Sequence, residues 1–153
     1  MLTDVLKQLQ TMVTALLQRV GHSISLRYLV LDRFFGHNNA LQMTKQCGLH
    51  LISKLRTNAA LYMQPTTPYA GRGRPRIYGE RFVPRQIDPK YRVSADTQGN
   101  LRTEVYQTQL RHKKFADLLN VVCVLKTNLT TKQQAHVLLF SSGLSLDTEK
   151  MID

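Results

Sequence analysis

The hydrophobic pattern begins with a helical period over the first twenty residues. Apolar residues recur every three or four positions between Leu2 and Val20, and polar residues occupy the opposite face. Gly21 follows, and glycine is typical of a helix C-terminus. The pattern predicts one amphipathic helix with a broad apolar face that a sheet or another helix must cover.

The pattern then changes to a short apolar run, Tyr28-Leu29-Val30-Leu31, which ends at Asp32 and is followed by Gly36. A continuous apolar run bounded by a turn predicts a buried strand. Asp32 would lie at the carboxyl end of that strand, where open α/β sheets place their ligands, and a carboxylate there can bind a divalent cation. The alternative is that Asp32 only caps the next turn.

A second helix and a second strand follow this run. Asn38 is a good N-cap, so the sequence predicts a helix from about Asn39 to Gln46, closed by Gly48, and then a strand from Leu49 to Arg56. The order helix, strand, helix, strand implies a parallel βαβ unit. Because two strands bury too little to be stable, partner strands are needed. We expect the strand over residues 49–56 to have an open edge that lowers solubility.

The remaining chain is β-rich and begins with an irregular basic stretch that contains all five prolines. Residues 91–95 and 101–111 predict a β-hairpin around a turn at residues 96–100. Residues 118–126 and 135–141 predict two buried strands. A helix is then expected to begin with Ser145 or Asp147 as its N-cap.

Length and charge limit the range of possible functions. The 153 residues suffice for one domain with a modest insertion. A net charge of +11 favours a polyanionic partner, and nucleic acid is the first candidate. The chain has no apolar run long enough to span a membrane and no visible export signal, so no membrane partner is expected. Cys47 and Cys123 are far apart in the sequence, which predicts free thiols in a reducing cytoplasm.

The sharpest local motif is Arg72-Gly73-Arg74-Pro75-Arg76, called here the arginine segment. Its glycine and proline predict a flat, extended core that resembles an AT-hook, whose arginines enter a narrow minor groove. The alternative is a solvated basic loop. Further basic residues nearby would contact phosphates and add affinity without specificity. The predicted DNA-binding residues are Arg72, Gly73, Arg74, Arg76, Arg81, Arg85, Lys90 and Arg92.

Three blocks, at residues 28–35, 48–56 and 71–79, together resemble bacterial insertion-sequence transposases of the DDE class. The resemblance covers nearly the whole chain. It implies an RNase H-like core in which three acids hold two divalent ions, Mg²⁺ or Mn²⁺, and cut and join DNA by phosphoryl transfer. Asp32 matches the second acid, and would be both catalytic and metal-binding. The other two acids have no match, because Asp4 lies within a helix and Glu149 and Asp153 fall too early in the final helix.

The resemblance also implies an organisation for the α/β chain. Residues 1–56 would form part of an RNase H-like core, as the βαβ part of a mixed sheet. Residues 57–142 would form a β-rich basic insertion, and residues 143–153 the start of the C-terminal core helix. The implied partners are the double-stranded DNA of transposon ends and target sites, with a homodimer in the full-length family and a nucleoid-associated location. We interpret the chain as an internal fragment that does not cleave DNA alone.

Two other functions stay open on the sequence. A non-enzymatic DNA-binding module would use the arginine segment, with Asp32 purely structural. Its binding would survive loss of Asp32, prefer AT-rich duplex and weaken as salt rises. An RNA-binding protein is the least favoured, because the chain has few aromatic residues to stack on bases.

Overall fold

A computed structural model describes residues 2–20, 23, 26–66, 68–146 and 151. Helix α1 spans Asp4–Val20 and helix α2 spans Asn38–Gln46. Short 3₁₀ helices span Arg33–Phe35 and Pro89–Tyr91. The strands are β1 (Tyr28–Val30), β2 (His50–Leu55), β3 (Leu61–Tyr62), β4 (Arg92–Gln98), β5 (Leu101–His112), β6 (Leu119–Asn128) and β7 (Gln134–Ser141).

The described strands form one mixed sheet in the order β1-β2-β7-β6-β5-β3, and β4 pairs with β5. β1 and β2 are parallel, as the βαβ pattern predicts, and the remaining pairs are antiparallel. The prediction of an open edge at β2 is wrong, because β7 pairs with the side of β2 that β1 leaves free. The chain therefore has a mixed α/β fold in which late strands complete the sheet that β1 and β2 begin.

The prediction that β1 is buried is also wrong. β1 has three residues and lies at the end of the strand order, so its outer side has no partner strand among the described residues. Val30 is 71% exposed and Tyr28 is 36% exposed. The apolar run at this position thus marks an edge strand with uncovered side chains rather than a central strand.

The helix predictions hold for α1 and α2, but the N-cap of α2 differs. His37 is the N-cap, and its Nδ1 accepts a 3.3 Å hydrogen bond from the amide of Ala40. The predicted cap, Asn38, instead accepts a 3.1 Å hydrogen bond from the amide of Ala116 through its Oδ1. Asn38 therefore connects the start of α2 to the segment between β5 and β6.

The predicted hairpin is present as β4 and β5, with a tighter turn than expected. β4 continues to Gln98 and β5 begins at Leu101, so only Gly99 and Asn100 separate the strands. Gly99 has a φ of +58°, a conformation that glycine adopts without strain. The two strands predicted at residues 118–126 and 135–141 correspond to β6 and β7.

Both faces of the sheet carry buried apolar side chains. On one face, Leu6 of α1 and Leu41 and Met43 of α2 pack in a cluster with Leu51 and Phe140. A second, smaller cluster contains Ile52, Val105, Val122, Leu146 and Met151. The helices thus cover the first face.

Asn120 holds residues 143–146, which follow β7, against the second cluster. This fully buried residue donates through its Nδ2 to the carbonyl oxygens of Gly143, at 3.3 Å, and Leu146, at 3.0 Å. The helix predicted from Ser145 or Asp147 falls largely on residues 147–150, 152 and 153, which lie outside the described residues.

The two cysteines are free thiols, as predicted from their spacing. Cys47 is half-buried, whereas Cys123 is buried on β6. Burial raises the pKa of the Cys123 thiol to about 12, so it is protonated at neutral pH. Within the described ranges, no helix has both the length and the apolar character that crossing a membrane requires.

Candidate catalytic carboxylate and nucleic-acid interface

Asp32 lies just beyond the carboxyl end of the parallel β1–β2 pair. The amide of Leu31 donates a 3.0 Å hydrogen bond to the carbonyl oxygen of Ile52, which extends the pairing one residue past β1. The chain leaves the sheet at the next residue, and the Asp32 side chain is exposed to solvent. This position agrees with the strand-end location predicted for Asp32, where open sheets bind ligands.

Asp32 also caps the 3₁₀ helix Arg33–Phe35. Its Oδ1 accepts a 3.0 Å hydrogen bond from the amide of Phe34. The capping role considered as the alternative for Asp32 is therefore present. A carboxylate has two oxygens and about four acceptor positions, so one capping hydrogen bond leaves most of these positions available. Capping and binding of a cation are compatible at this residue.

A cleft of about 650 Å³ opens at the carboxyl end of β2, beside the loop that carries Asp32. We call it the edge cleft. Its lining includes four permanent cations and, among the described residues, no acid. The cations come from the loop after β1, from β2 and its end, and from the turn after β5. They are Arg33, Lys54, Arg56 and Lys114.

Gly36 allows the loop after β1 to approach β2 closely. A Cβ atom at this position would collide with the carbonyl oxygen of Lys54 and would lie 3.2 Å from that of Arg33. Its φ of −78° is ordinary, so space rather than backbone conformation requires glycine here. The close approach holds Arg33 and the start of α2 against the end of β2, which forms one wall of the edge cleft.

His112 forms part of another wall and is held in its neutral form. Burial lowers the pKa of this imidazole, and the positive charge of Lys114 lowers it further. Its Nδ1 accepts a 3.0 Å hydrogen bond from the amide of Lys114, and its ring packs edge-on against Phe115 with centroids 5.1 Å apart. The neutral ring therefore orders the turn that presents the Lys114 ammonium.

A second cleft, of about 400 Å³, lies on the other side of this turn and is called the Tyr78 cleft. Its cations are Arg111, Lys113 and Lys114, and no acid lines it among the residues described. The Lys113 Nζ lies 5.2 Å from the ring centroid of Tyr62 and 6.0 Å from that of Tyr78. Through these cation–π contacts, Lys113 of the turn after β5 connects Tyr78 to Tyr62 of β3.

The arginine segment, Arg72–Arg76, is exposed, but it does not form the flat, extended core that the sequence predicts. Gly71 and Gly73 have φ values of +79° and +70°, in the left-handed region. The hydroxyl of Tyr69 donates a 2.6 Å hydrogen bond to the carbonyl oxygen of Gly73 across the resulting bend. The glycines permit a turn here, so the geometry is that of a bent basic loop rather than an AT-hook.

Three of the eight predicted DNA-binding residues come together at a third cleft, of about 470 Å³. Arg76, Arg81 and Lys90 line it, together with the acids Glu80 and Asp88. The remaining ones do not join them: Arg85 lies in an exposed turn, Arg92 begins β4, and Arg72, Gly73 and Arg74 lie at the bend.

The basic residues of the edge cleft were not predicted from the sequence. Lys54 and Arg56 fall in a predicted strand, and Lys114 belongs to the charge run Arg111-His112-Lys113-Lys114. That run was the available signal, because such a run is usually a solvated face but can extend a basic surface. Nothing in the spacing indicated that it faces the end of β2.

The described residues do not form a complete metal site. They contain no group of three His, Cys, Asp or Glu side chains that could hold a metal ion. Divalent cations of the Mg²⁺ type require near-octahedral oxygen coordination, usually with more than one protein or substrate oxygen. Asp32 by itself does not meet that requirement.

Comparison with known proteins supports the resemblance seen in the sequence. No curated protein and no solved structure matches the chain. A family model described as DDE superfamily endonuclease matches residues 3–114, which are most of the chain and include Asp32, β2 and the arginine segment. This chain therefore belongs to the DDE superfamily endonuclease family.

Proposed function

We propose that the chain is the DNA-binding part of an insertion-sequence transposase, and that Asp32 is one of the three acids of its catalytic site. The observation that carries the proposal is the position of Asp32 at the carboxyl end of the parallel pair, beside a cleft with four permanent cations. Phosphoryl transfer needs carboxylates to hold metal ions and cations to neutralise the phosphate. Membership of the endonuclease family supports the same chemistry.

The metal chemistry needs acids in addition to Asp32. When bound by a complete set of carboxylates, Mg²⁺ or Mn²⁺ would activate the attacking hydroxyl or water and stabilise the leaving oxygen. The described residues place one carboxylate at this edge and no three-ligand group. We therefore expect the purified chain to bind DNA without cutting it, and the role of Asp32 here is to supply one negatively charged oxygen ligand.

The proposed substrate is double-stranded DNA, at transposon ends and at target sites, held by a homodimer in the full enzyme. The eight sequence-predicted residues are its proposed contacts: Arg72, Gly73, Arg74, Arg76, Arg81, Arg85, Lys90 and Arg92. All of them are exposed. The bend at Gly73 presents Arg72 and Arg74 to solvent, where they can pair with phosphates. The bent geometry does not support the alternative of an AT-hook module without enzymatic function.

Fluorescence anisotropy with a short duplex in the presence of a chelator tests the DNA-binding part. Replacing Arg72, Arg74 and Arg76 together by Gln should weaken binding and lower the slope of log affinity against log salt by about 2.7, which is three phosphate contacts. A matched change of Lys7, Arg19 and Lys132, three exposed cations elsewhere, should leave that slope near its original value. Wild-type protein that does not bind duplex even at low salt would contradict the proposal.

A plasmid nicking assay with Mg²⁺ or Mn²⁺ tests the catalytic part. The chain alone should not nick the plasmid. Metal-dependent nicking that the Asp32→Asn variant abolishes would contradict the expected inactivity but support the role of Asp32. Nicking that persists unchanged in that variant would remove Asp32 from the catalytic site.

A further inference from the structure

The edge cleft and the Tyr78 cleft meet at one turn. Lys114 and Phe115 line both of them, so the two clefts adjoin at these side chains. Together they are lined by six permanent cations, and no carboxylate belongs to either lining among the described residues. The six are Arg33, Lys54, Arg56, Arg111, Lys113 and Lys114.

The acid that follows the lining of the Tyr78 cleft in the sequence is neutralised by a neighbouring cation. Asp117 follows the lining residue Ala116, but its Oδ2 lies 3.1 Å from the Lys45 Nζ on α2 and also accepts from the Gln42 side chain at 3.1 Å. The pair draws the Asp117 carboxylate toward α2. The charged residues that line the two clefts are therefore all basic, and the Asp32 carboxylate lies beside one end of the edge cleft.

The connecting turn is packed against the sheet. Phe115 is buried and packs edge-on against Phe140 of β7, with ring centroids 5.3 Å apart. The His112 ring contacts Phe115 on the same turn. Because β7 pairs with β2, the Phe115–Phe140 contact places the turn next to the strand that carries Lys54. A preformed row of cations binds a phosphate chain with little ordering cost.

We infer that the two clefts form one continuous track for a sugar–phosphate strand of duplex DNA, leading from the sheet edge beside Asp32, across Lys114, to the segment that ends in Tyr78. The inference rests on the proposed function, because it assigns the DNA path of the same site. It adds contacts that the arginine segment does not supply. Arg33, Lys54 and Arg56 bind phosphates near Asp32, and Arg111 and Lys113 bind phosphates closer to the arginine segment.

The test compares pairs of charge-removing variants by anisotropy with one duplex, in chelator, over a range of salt concentrations. Lys54→Gln with Arg56→Gln should lower the magnitude of the salt slope by about 1.8 and weaken binding about tenfold at moderate salt. Lys113→Gln with Lys114→Gln should do the same on the other side of the turn. Lys7→Gln with Arg19→Gln, which removes two exposed cations of α1, serves as the matched control.

Each outcome separates the track from the proposed function. Loss of slope in the two cleft pairs but not in the α1 pair supports the track. If the arginine-segment variant loses affinity and the cleft pairs do not, the proposed DNA binding stands and the track is wrong. If all three pairs lose the same slope, the binding is an undirected charge effect and the track is also wrong.

Thermal melting of each double variant identifies unfolding, and Arg33→Gln with Arg111→Gln then replaces a pair that does not fold. Tighter binding of single-stranded RNA than of duplex DNA would overturn the assignment to DNA.

Discussion

The Oγ of Ser53 donates a 2.8 Å hydrogen bond to the carbonyl oxygen of Asp32. Ser53 is buried in the middle of β2, whereas the Asp32 side chain is exposed. The bond therefore ties the backbone of the candidate catalytic residue to the sheet and leaves its carboxylate free to meet solvent. The same carbonyl accepts a second hydrogen bond, of 3.0 Å, from the amide of Phe35.

Replacing Ser53 by Ala should lower the free energy of unfolding by about 1 kcal/mol, the net value of one hydrogen bond. The loss is limited because the Asp32 carbonyl keeps the bond from Phe35. Urea denaturation measures it. Ser94→Ala, at an exposed position of β4, is the control and should change stability by less than about 0.5 kcal/mol. A Ser53 variant as stable as this control would show that the bond does not hold the loop.

Gly36→Ala should destabilise the chain by about 1–3 kcal/mol, the cost of overpacking. The added methyl group has no room between the loop and the Lys54 carbonyl oxygen, so the loop must move away from β2. The movement should also widen the edge cleft and weaken DNA binding through Arg33. Thermal melting and anisotropy measure the two effects. Asn39→Ala, at an exposed position of α2, is the comparison, and equal melting temperatures for the two variants would refute the close approach.

Asp32 and Asp88 have the same capping geometry, and this allows a matched test of the role of Asp32. Each side chain accepts a 3.0 Å hydrogen bond from the amide two residues later, at the start of a 3₁₀ helix. Asn keeps this acceptor, whereas Ala removes it. Both Asn variants should therefore melt close to the wild type, and both Ala variants should lose about 1 kcal/mol.

DNA affinity should then show whether Asp32 has a role beyond capping. In chelator, Asp32→Asn should tighten duplex binding several-fold, because it removes a negative charge next to the cations of the edge cleft. Asp4→Asn, which removes an exposed acid of α1, should change the affinity less. If both substitutions change the affinity equally, Asp32 is a cap with no special relation to the proposed DNA site.

The position of Asp32 could be predicted from the sequence because its cause is local. An apolar run that stops at an acid and a glycine defines a strand end, wherever the strand lies in the sheet. The same run could not show that β1 is an edge strand. Hydrophobicity indicates that a segment forms a strand, but not how many other strands pair with it. The exposure of Val30 is a property of the sheet order.

The edge cleft could not be predicted because its causes are not local. Lys54 and Lys114 meet at the cleft because β7 pairs with β2 and Phe140 of β7 packs against Phe115. Strand partners distant in sequence follow from the register of whole strands, which a single hydrophobic pattern leaves open. The bend of the arginine segment was missed for a different reason. Glycine permits both extended and left-handed backbone, and the contact from Tyr69, which favours the bend, is not visible in the sequence pattern.

Stability should fall as the pH drops below about 6.5, and His112 should be one cause. Burial and Lys114 lower the pKa of His112 in the folded chain below its ordinary value of 6.5. The unfolded chain therefore takes up a proton first as the pH falls, and protonation favours unfolding. Above pH 6.5 both states are neutral at this residue, so it adds no pH dependence there. The loss develops from about pH 6.5 down to the pKa of the folded form, with a limit of about 1.4 kcal/mol per pH unit for one proton.

Replacing His112 by Gln should remove this part of the pH dependence. Urea midpoints between pH 7.5 and 5 measure it, within a range chosen to stay above the ordinary pKa of carboxylates, about 4. Thr97→Ala, at an exposed position of β4, is the control and should keep the wild-type slope. An NMR titration in which the His112 ring protonates at or above pH 6.5 would contradict the argument directly. Since a neutral His112 accepts from the amide of Lys114, its protonation should also loosen the turn that joins the two clefts.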